Sequence, residues 1–165
     1  MTHAIVVMGV SGCGKTTVGR ALAETLNCKF YDADDFHPPE NITKMSSGIP
    51  LNDKDRQPWL ENLRDLIAEH IKQGRGLVLA CSALKKRYRN LLREGNTGLQ
   101  FVYLQGDFEL ILQRMMAREG HYMQADMLQS QFDVLEPPSA QEAINIRIDQ
   151  SLSDIVQHIM DKMIK

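Results

Sequence analysis

Cysteine is scarce in this sequence of 165 residues, which contains only Cys13, Cys28 and Cys81. No two of them form a Cys-x-x-Cys pair, and an odd number fits no disulfide framework. Cys28 and Cys81 lie in apolar segments and are predicted to be buried thiols. The scarcity of cysteine argues against a disulfide-stabilised secreted domain and favours a cytoplasmic protein.

Long apolar runs and an excess of basic charge are also missing. The longest apolar runs, 4–10 and 77–81, are far shorter than the ~20 residues that a membrane helix needs. Met1-Thr2-His3 does not begin a signal peptide, because no basic region leads into a long apolar stretch. With 19 basic and 21 acidic residues the net charge is −2. We therefore expect neither a membrane nor a nucleic acid as a partner.

What the sequence does have is an alternation of apolar strand-like runs with segments of helical periodicity. The predicted strands are 4–8, 29–32, 77–81, 101–104 and 144–148. The predicted helices are 15–26, 55–73, 84–93, 108–118 and a final helix for which Ser151 is the expected N-cap. The alternation predicts an α/β domain spanning 1–165, with a five-stranded parallel sheet covered by helices on both faces.

Two stretches depart from this alternation. One covers about 37–58 and contains Pro38, Pro39, Pro50 and Pro58. The other covers about 119–138, where apolar spacing predicts a short helix that ends before Pro137-Pro138. Excursions of this kind often bind substrates or close over them, so we expect a substrate-binding segment and a lid.

The segment 9–16 matches the phosphate-binding pattern G-x-x-x-x-G-K-[ST] in full and lies between a predicted strand and a predicted helix. Its glycines allow backbone N–H groups to turn toward a phosphate, and the helix N-terminus adds a positive dipole end. Lys15 is expected to reach the β- and γ-phosphates of ATP, and the Thr16 hydroxyl to bind Mg²⁺. The expected nucleotide contacts are Gly9, Ser11, Gly12, Cys13, Gly14, Lys15 and Thr16.

The chain lacks the Asn-Lys-x-Asp segment with which GTPases recognise guanine, and its third predicted strand ends in Cys81-Ser82 rather than in aspartate. A second Mg²⁺ ligand is therefore expected in the acidic segment 32–35, since the carboxyl ends of neighbouring parallel strands open on one crevice. Alternation along the strand predicts Asp32 and Asp34 on the same side. Asp32 is assigned to the metal and Asp34 to the substrate hydroxyl. An acidic solvated turn is the alternative, and Asp107 is a weaker candidate carboxylate.

The sequence resembles the gluconate kinase family of small P-loop kinases, which are similar in plan to shikimate and nucleoside monophosphate kinases. The resemblance extends from about Val6 to Ile148. It is carried by the P-loop and by segments 32–38, 41–48, 51–60, 81–89, 118–121 and 130–132. The departures are Cys13 in place of a commoner serine, Asn90 in place of aspartate and Tyr122 in place of phenylalanine.

The resemblance implies a three-layer P-loop kinase fold and transfer of the ATP γ-phosphoryl group to the 6-hydroxyl of D-gluconate. It also implies that Arg114 and Arg118 are lid arginines that contact the nucleotide, with Arg118 stabilising the transferring group, although a surface pair is the alternative. A polyol with one carboxylate needs cations and hydrogen-bonding groups. The candidates are His37, Lys44, Arg56, Arg89 and His121.

Simpler structural roles remain open for some of these residues. Arg56 lies beside Asp53 and Asp55 and is equally well explained by an ion pair, and His37 is equally well explained as the cap of a turn before Pro38. A shikimate-type kinase and a nucleotide-binding regulatory module without turnover are the competing functions. The sequence is compatible with a homodimer.

Overall fold

The computed structural model describes the backbone of residues 2–119 and 124–164, and the side chains of residues 2–117 and 125–163. The predicted elements occur with ends that shift by at most two residues. In chain order they are β1 (Ala4–Met8), α1 (Lys15–Leu26), β2 (Lys29–Asp32), α2 (Pro39–Ser46), α3 (Asp53–Lys72), β3 (Leu77–Ala80), α4 (Lys86–Arg93), β4 (Gln100–Gln105), α5 (Phe108–Glu119), α6 (Gln124–Val134), β5 (Ile144–Arg147) and α7 (Leu152–Ile164). A short 3₁₀ turn, Ala33–Phe36, follows β2.

The five strands form one parallel sheet in the order β2-β3-β1-β4-β5. In the centre of the sheet Ala4 pairs with Leu77 of β3, and Ile5 pairs with Gln100 of β4. Parallel pairing directs all five carboxyl ends to one edge of the sheet, as expected for a ligand-binding crevice in this architecture.

The sheet is apolar on both faces because helices cover both. Along β1, Ile5 and Val7 belong to one buried cluster, and Val6 and Met8 belong to the other. A strand buried on both sides loses the apolar–polar alternation of a half-exposed strand, which explains the continuous apolar run. The predicted three-layer α/β fold is confirmed. Among the described helices, none is both long enough and apolar enough to cross a lipid bilayer.

The excursion predicted at 37–58 is more regular than expected. It contains α2, and its last six residues already belong to α3, which begins at Asp53. A capping box starts this helix: Asn52 accepts a hydrogen bond from the backbone of Asp55, and the Asp55 carboxylate accepts one from the backbone of Asn52. Pro58 therefore lies inside a helix and not in a loop. The irregular part of the excursion is the connection between α2 and α3.

Candidate active site

The P-loop connects β1 to α1 at the carboxyl edge of the sheet. Gly14 is the N-cap of α1 in a left-handed conformation (φ 98°), and Gly12 has φ 80°. A Cβ on Gly12 would lie 2.5 Å from the Met115 side chain of α5. Glycine at these positions therefore keeps the loop close to α5 while its N–H groups face the mouth of the site, where an anion is favoured.

Lys15 lies across the loop, and its Nζ donates to the backbone oxygens of Gly9 and Val10, each at 3.0 Å. Within the described part of the chain no carboxylate forms an ion pair with Lys15. The adjacent Thr16 side chain is exposed at the helix start. An ammonium group held only by carbonyls keeps its charge available for a phosphate, because neutral dipoles do not cancel it.

Two of the three cysteines are buried. Burial raises the pKa of the Cys13 thiol, and it raises the pKa of Cys81 to about 12. Both side chains are therefore protonated structural groups, and Cys13 has only its backbone to offer a phosphate. The buried position predicted for Cys81 is confirmed, whereas Cys28 is only partly buried.

A cleft of about 600 Å³ opens in front of the P-loop. Its base is formed by Cys81 and Ser82 after β3, and its rims carry Met45 and Ile49 on one side and Met127 of α6 on the other. The predicted site residues that line it are Ser11, Gly12, Gly14, Lys15, Thr16, Asp32, Asp34, His37 and Arg56. The cleft thus combines a phosphate-binding loop with two carboxylates, an imidazole and a guanidinium.

Asp32 and Asp34 both line the cleft, as predicted. The prediction assumed that both belong to one strand, and this assumption is wrong. β2 ends at Asp32, and Asp34 belongs to the following 3₁₀ turn. There Oδ1 of Asp32 accepts a hydrogen bond from the backbone N–H of Asp34 at 3.0 Å. Desolvation in the cleft and the Asp32 carboxylate raise the pKa of Asp34, while His37 and Lys15 oppose that rise. The Asp34 side chain is nevertheless 85% exposed, so its carboxylate is accessible to a ligand that enters the cleft.

His37 is held between Trp59 and Asn41. Its ring stacks on the Trp59 indole with centroids 4.4 Å apart and planes 14° apart. Its Nδ1 lies 3.2 Å from Nδ2 of Asn41, and its Nε2 lies 4.0 Å from Oδ1 of Asp34. Trp59 is itself fixed, because its Nε1 donates to the Ala33 carbonyl at 2.7 Å. The imidazole is therefore oriented toward Asp34, and His37 is also the C-cap of the 3₁₀ turn.

Arg56 projects from the start of α3 and is supported by Tyr88 of α4. Its Nη1 donates to the Tyr88 hydroxyl at 3.3 Å, and that hydroxyl donates to the Asp53 carboxylate. Lys85 and Arg87 also pair with Asp53, at 3.1 and 3.0 Å. Among the described residues no carboxylate pairs with Arg56, so the simple ion pair considered for it is not found. Lys86, between these two cations of α4, is exposed and does not pair with Asp53.

Two predicted substrate contacts are not brought to the cleft. Arg89 is 1% exposed, and its guanidinium bonds to Glu142 and to the backbone oxygens of Ala83, Leu84 and Glu136. Such a side chain has no free donor for a sugar acid, so its assignment to the substrate is wrong. Lys44 does not line the cleft either, and its Nζ lies 2.8 Å from Oδ1 of Asp55. It joins α2 to α3.

The lid candidates lie in and after α5. Arg114 donates from Nη2 to the carbonyl of Ile148 at 2.9 Å and does not line the cleft. The Arg118 side chain and His121 lie outside the described residues. Asp107, the weaker candidate carboxylate, pairs with Arg147 at 3.4 Å and does not line the cleft.

Gln131 of α6 is a contact that the sequence reasoning missed. Its Oε1 accepts a hydrogen bond from the backbone N–H of Ser11 at 2.7 Å, and its Nε2 donates to the Ser11 hydroxyl at 2.8 Å. A P-loop N–H that would be available to a phosphate is thus occupied by a side chain from the predicted lid. Gln131 lies in the segment 130–132 that contributes to the resemblance, but nothing in the pattern connects it with Ser11.

Comparison with known proteins gives a consistent result. The family model described as Shikimate kinase matches residues 11–165. The chain is 49% identical to the thermosensitive gluconokinase of Escherichia coli, over 89% of this chain and 79% of that protein. It is 47% identical to the probable gluconokinase of Rattus norvegicus, over 96% of each. The crystal structure of a gluconokinase from Sinorhizobium meliloti superposes with a TM-score of 0.89 at 43% identity, covering 98% of this chain and 91% of that one.

Proposed function

This chain belongs to the gluconokinase family of P-loop kinases, and we propose that it transfers the γ-phosphoryl group of ATP to the 6-hydroxyl of D-gluconate, giving 6-phospho-D-gluconate. One observation carries the proposal: a single cleft is lined both by the P-loop and by Asp34, His37 and Arg56. A phosphate donor and a hydroxylated carboxylic acid would therefore meet in front of Lys15. The near full-length similarity to gluconokinases supports gluconate as the acid.

In the proposed reaction Asp34 accepts a hydrogen bond from the 6-hydroxyl and directs its oxygen at the γ-phosphorus. The bond from this oxygen to phosphorus forms as the bond to the ADP oxygen breaks, and the hydroxyl proton passes to Asp34. The transition state is loose, so the proton moves late and little base strength is required. Lys15 and the N–H groups of the P-loop stabilise the negative charge on the phosphate oxygens.

Thr16 and Asp32 are the proposed Mg²⁺ ligands. Both line the cleft, and a hydroxyl and a carboxylate are the oxygen donors that Mg²⁺ prefers. Within the described residues no group of three or more His, Cys, Asp or Glu side chains forms a metal cluster. Two protein ligands are enough for Mg²⁺, because this ion usually keeps several waters and binds the phosphates of the substrate. When bound, the ion neutralises phosphate charge.

We propose that residues 119–138 act as a lid. Gln131 supports this, because α6 contacts the P-loop through Ser11 and must exchange that contact if the Ser11 N–H binds a phosphate. The exposed Met127 at the rim of the cleft adds an apolar surface that closure would bury. Arg118 and His121 remain proposed contacts for the transferring phosphoryl group and the substrate.

Arg56 is the proposed partner of the gluconate carboxylate. It lines the cleft, and Tyr88 occupies one nitrogen of its guanidinium while leaving others for a ligand. Of the cations predicted for this role, Lys44 and Arg89 are committed elsewhere. A cytoplasmic location for the reaction is proposed, because three free cysteines suit a reducing compartment.

Replacing Arg56 with alanine should raise the KM for gluconate by about 10- to 100-fold, because a charge-assisted hydrogen bond is worth about 1.5–3 kcal/mol. Steady-state kinetics with each substrate varied in turn should show the KM for ATP changing by less than about twofold. Lys54→Ala is the matched control, since Lys54 is an exposed neighbour on α3 that does not line the cleft. Equal increases in both KM values would instead place Arg56 in the phosphate site.

A substrate panel with ATP consumption as readout tests the proposed function. Gluconate should be the preferred acceptor over shikimate and over glucose, which lacks the carboxylate. Lys15→Ala protein should consume no ATP with any of them, which controls for contaminating kinases. Turnover of shikimate in preference to gluconate would favour the shikimate-type alternative, and ATP binding without any turnover would favour a regulatory module.

A further inference from the structure

Asn41 is one of the few buried polar residues among those the structure describes, with 4% of its surface exposed. It lies on α2 and bonds to two groups outside that helix. Its side-chain Nδ2 lies 3.0 Å from the backbone oxygen of Asp55 on α3 and 3.2 Å from Nδ1 of His37. One amide nitrogen therefore serves both partners.

The first of these contacts determines the second. The Asp55 carbonyl can only accept a hydrogen bond, so the atom facing it must be the amide NH₂ and not the amide oxygen. An NH₂ group can only donate, so Nδ1 of His37 must be the accepting nitrogen. In a neutral imidazole the single proton then lies on Nε2. Desolvation lowers the pKa of His37, with a further contribution from Arg56 that the charge of Asp34 opposes, which favours the neutral ring.

The protonated nitrogen faces the proposed reaction centre. The stacked Trp59 indole restricts the imidazole plane, and Nε2 lies 4.0 Å from Oδ1 of Asp34. That separation is too long for a direct hydrogen bond. It suits a hydroxyl oxygen between the two, which accepts from Nε2–H and donates to the carboxylate.

We propose that Asn41 is a positioning residue that holds His37 in the Nε2–H tautomer, so that His37 and Asp34 together orient the reacting hydroxyl of the acceptor. This inference rests on the proposed function. The Nε2–H group fixes one lone pair of the hydroxyl oxygen, Asp34 fixes its proton, and the remaining lone pair is directed at the phosphorus. A donor and an acceptor on one oxygen define its orientation more tightly than Asp34 alone.

The tautomer is measured directly by long-range ¹H–¹⁵N spectra of the histidine rings in unliganded, ¹⁵N-labelled full-length protein. His37→Ala identifies the signals of His37. In the wild-type protein Nδ1 should appear as an unprotonated nitrogen and Nε2 as a protonated one. In Asn41→Ala the Nδ1 signal should move toward that of a partly protonated nitrogen, because no amide donor then keeps the proton off Nδ1. A wild-type ring with its proton on Nδ1 overturns the inference, whatever the kinetics show.

A double-mutant cycle tests whether Asn41 acts by positioning His37 or only by joining α2 to α3. Asn41→Ala should lower kcat with gluconate about tenfold, the loss expected for one ordinary hydrogen bond, and leave the KM for ATP unchanged. In a His37→Ala background the same substitution should have little further effect on kcat, because both changes remove one function. Thr43→Ala is the control on α2, since among the described residues its side chain bonds only to the Pro39 carbonyl of its own helix. It should leave both kcat and the tautomer unchanged.

The outcomes distinguish this inference from the proposed function. Equal effects of Asn41→Ala with and without the His37 side chain would make Asn41 a structural residue and overturn the inference. His37→Gln, which keeps an N–H donor near the position of Nε2, should retain more activity than His37→Ala, and the reverse order would also overturn it. Failure of gluconate as a substrate would reject the proposed function, yet the ring spectra would still decide the tautomer.

Discussion

Asp34→Asn is expected to lower kcat for gluconate phosphorylation at least about 100-fold, within the range of general-base contributions. Asparagine keeps the shape of the side chain but cannot accept the hydroxyl proton. The backbone N–H of residue 34, which bonds to Asp32, is unaffected, so the 3₁₀ turn should persist. The KM for ATP and the unfolding temperature should therefore stay close to those of the wild-type protein.

The neighbouring aspartates supply the controls for this experiment. Asp35 is exposed in the same turn but does not line the cleft, so Asp35→Asn should be active at nearly the wild-type rate. Asp32→Asn should impair the Mg²⁺ dependence of the reaction. Normal turnover by Asp34→Asn together with an inactive Asp32→Asn would show that the two roles are reversed. Normal turnover by both variants would show that a different carboxylate accepts the hydroxyl proton.

Arg89→Met is expected to lower the free energy of unfolding by about 3–5 kcal/mol, the usual loss when one partner of a buried ion pair is removed. Methionine fills much of the arginine volume but, within the described part of the chain, leaves Glu142 with Arg93 as its one cationic partner. It also removes the donor that the backbone oxygens of Ala83 and Leu84 share. Denaturant unfolding followed by circular dichroism measures the change.

Arg87→Met on the same helix is the control. Arg87 is 60% exposed and pairs with Asp53 at the surface, so its loss should change the free energy of unfolding by less than about 1 kcal/mol. A change of that small size in Arg89→Met would contradict the structural role given to Arg89. It would then return to the candidates for substrate binding.

The pH dependence of unfolding gives a second test of Arg89. Burial tends to raise the pKa of Glu142, but Arg89 and Arg93 outweigh that effect and hold it below its ordinary value. Its contribution to stability is therefore complete above the ordinary pKa of a glutamate and is lost as the pH falls through the lower folded value. Because Arg89→Met removes part of that contribution beforehand, the stability difference between the two proteins should narrow on acidification.

The fold could be predicted from the sequence because local signals and the global architecture agree. Strands such as 4–8 and 77–80 are buried on both faces, and their continuous apolar runs are the direct expression of that burial. The helix from Asp53 was the least regular case. It was predicted to begin at Asp55, two residues late, because the apolar spacing that indicated it starts only at Trp59 and the capping box at Asn52 and Asp55 was not recognised.

The site was predictable wherever a residue type has one dominant chemical use at a given spacing. The P-loop meets that condition, and so does an acidic cluster at a strand end. Arg89 does not, because a charged residue in a polar helix segment gives no local sign that its partner is Glu142, far along the chain. Gln131 and Asn41 were missed for the same reason, since their partners Ser11 and Asp55 are set by tertiary packing.

The position of β1 in the sheet affects how the chain acquires its structure during synthesis. β1 precedes the other four strands along the chain, yet it lies in the middle of the sheet, between β3 and β4, and not beside β2. Its hydrogen-bonding partners begin only at Leu77 and Gln100, so a ribosome exposes this apolar segment long before either edge can be paired. Pairing between strands that are far apart in the sequence slows folding. Intermediates with unpaired apolar strands are prone to aggregation. One edge of residues 4–8 therefore stays without its partner strand until Gln100–Gln105 has been translated.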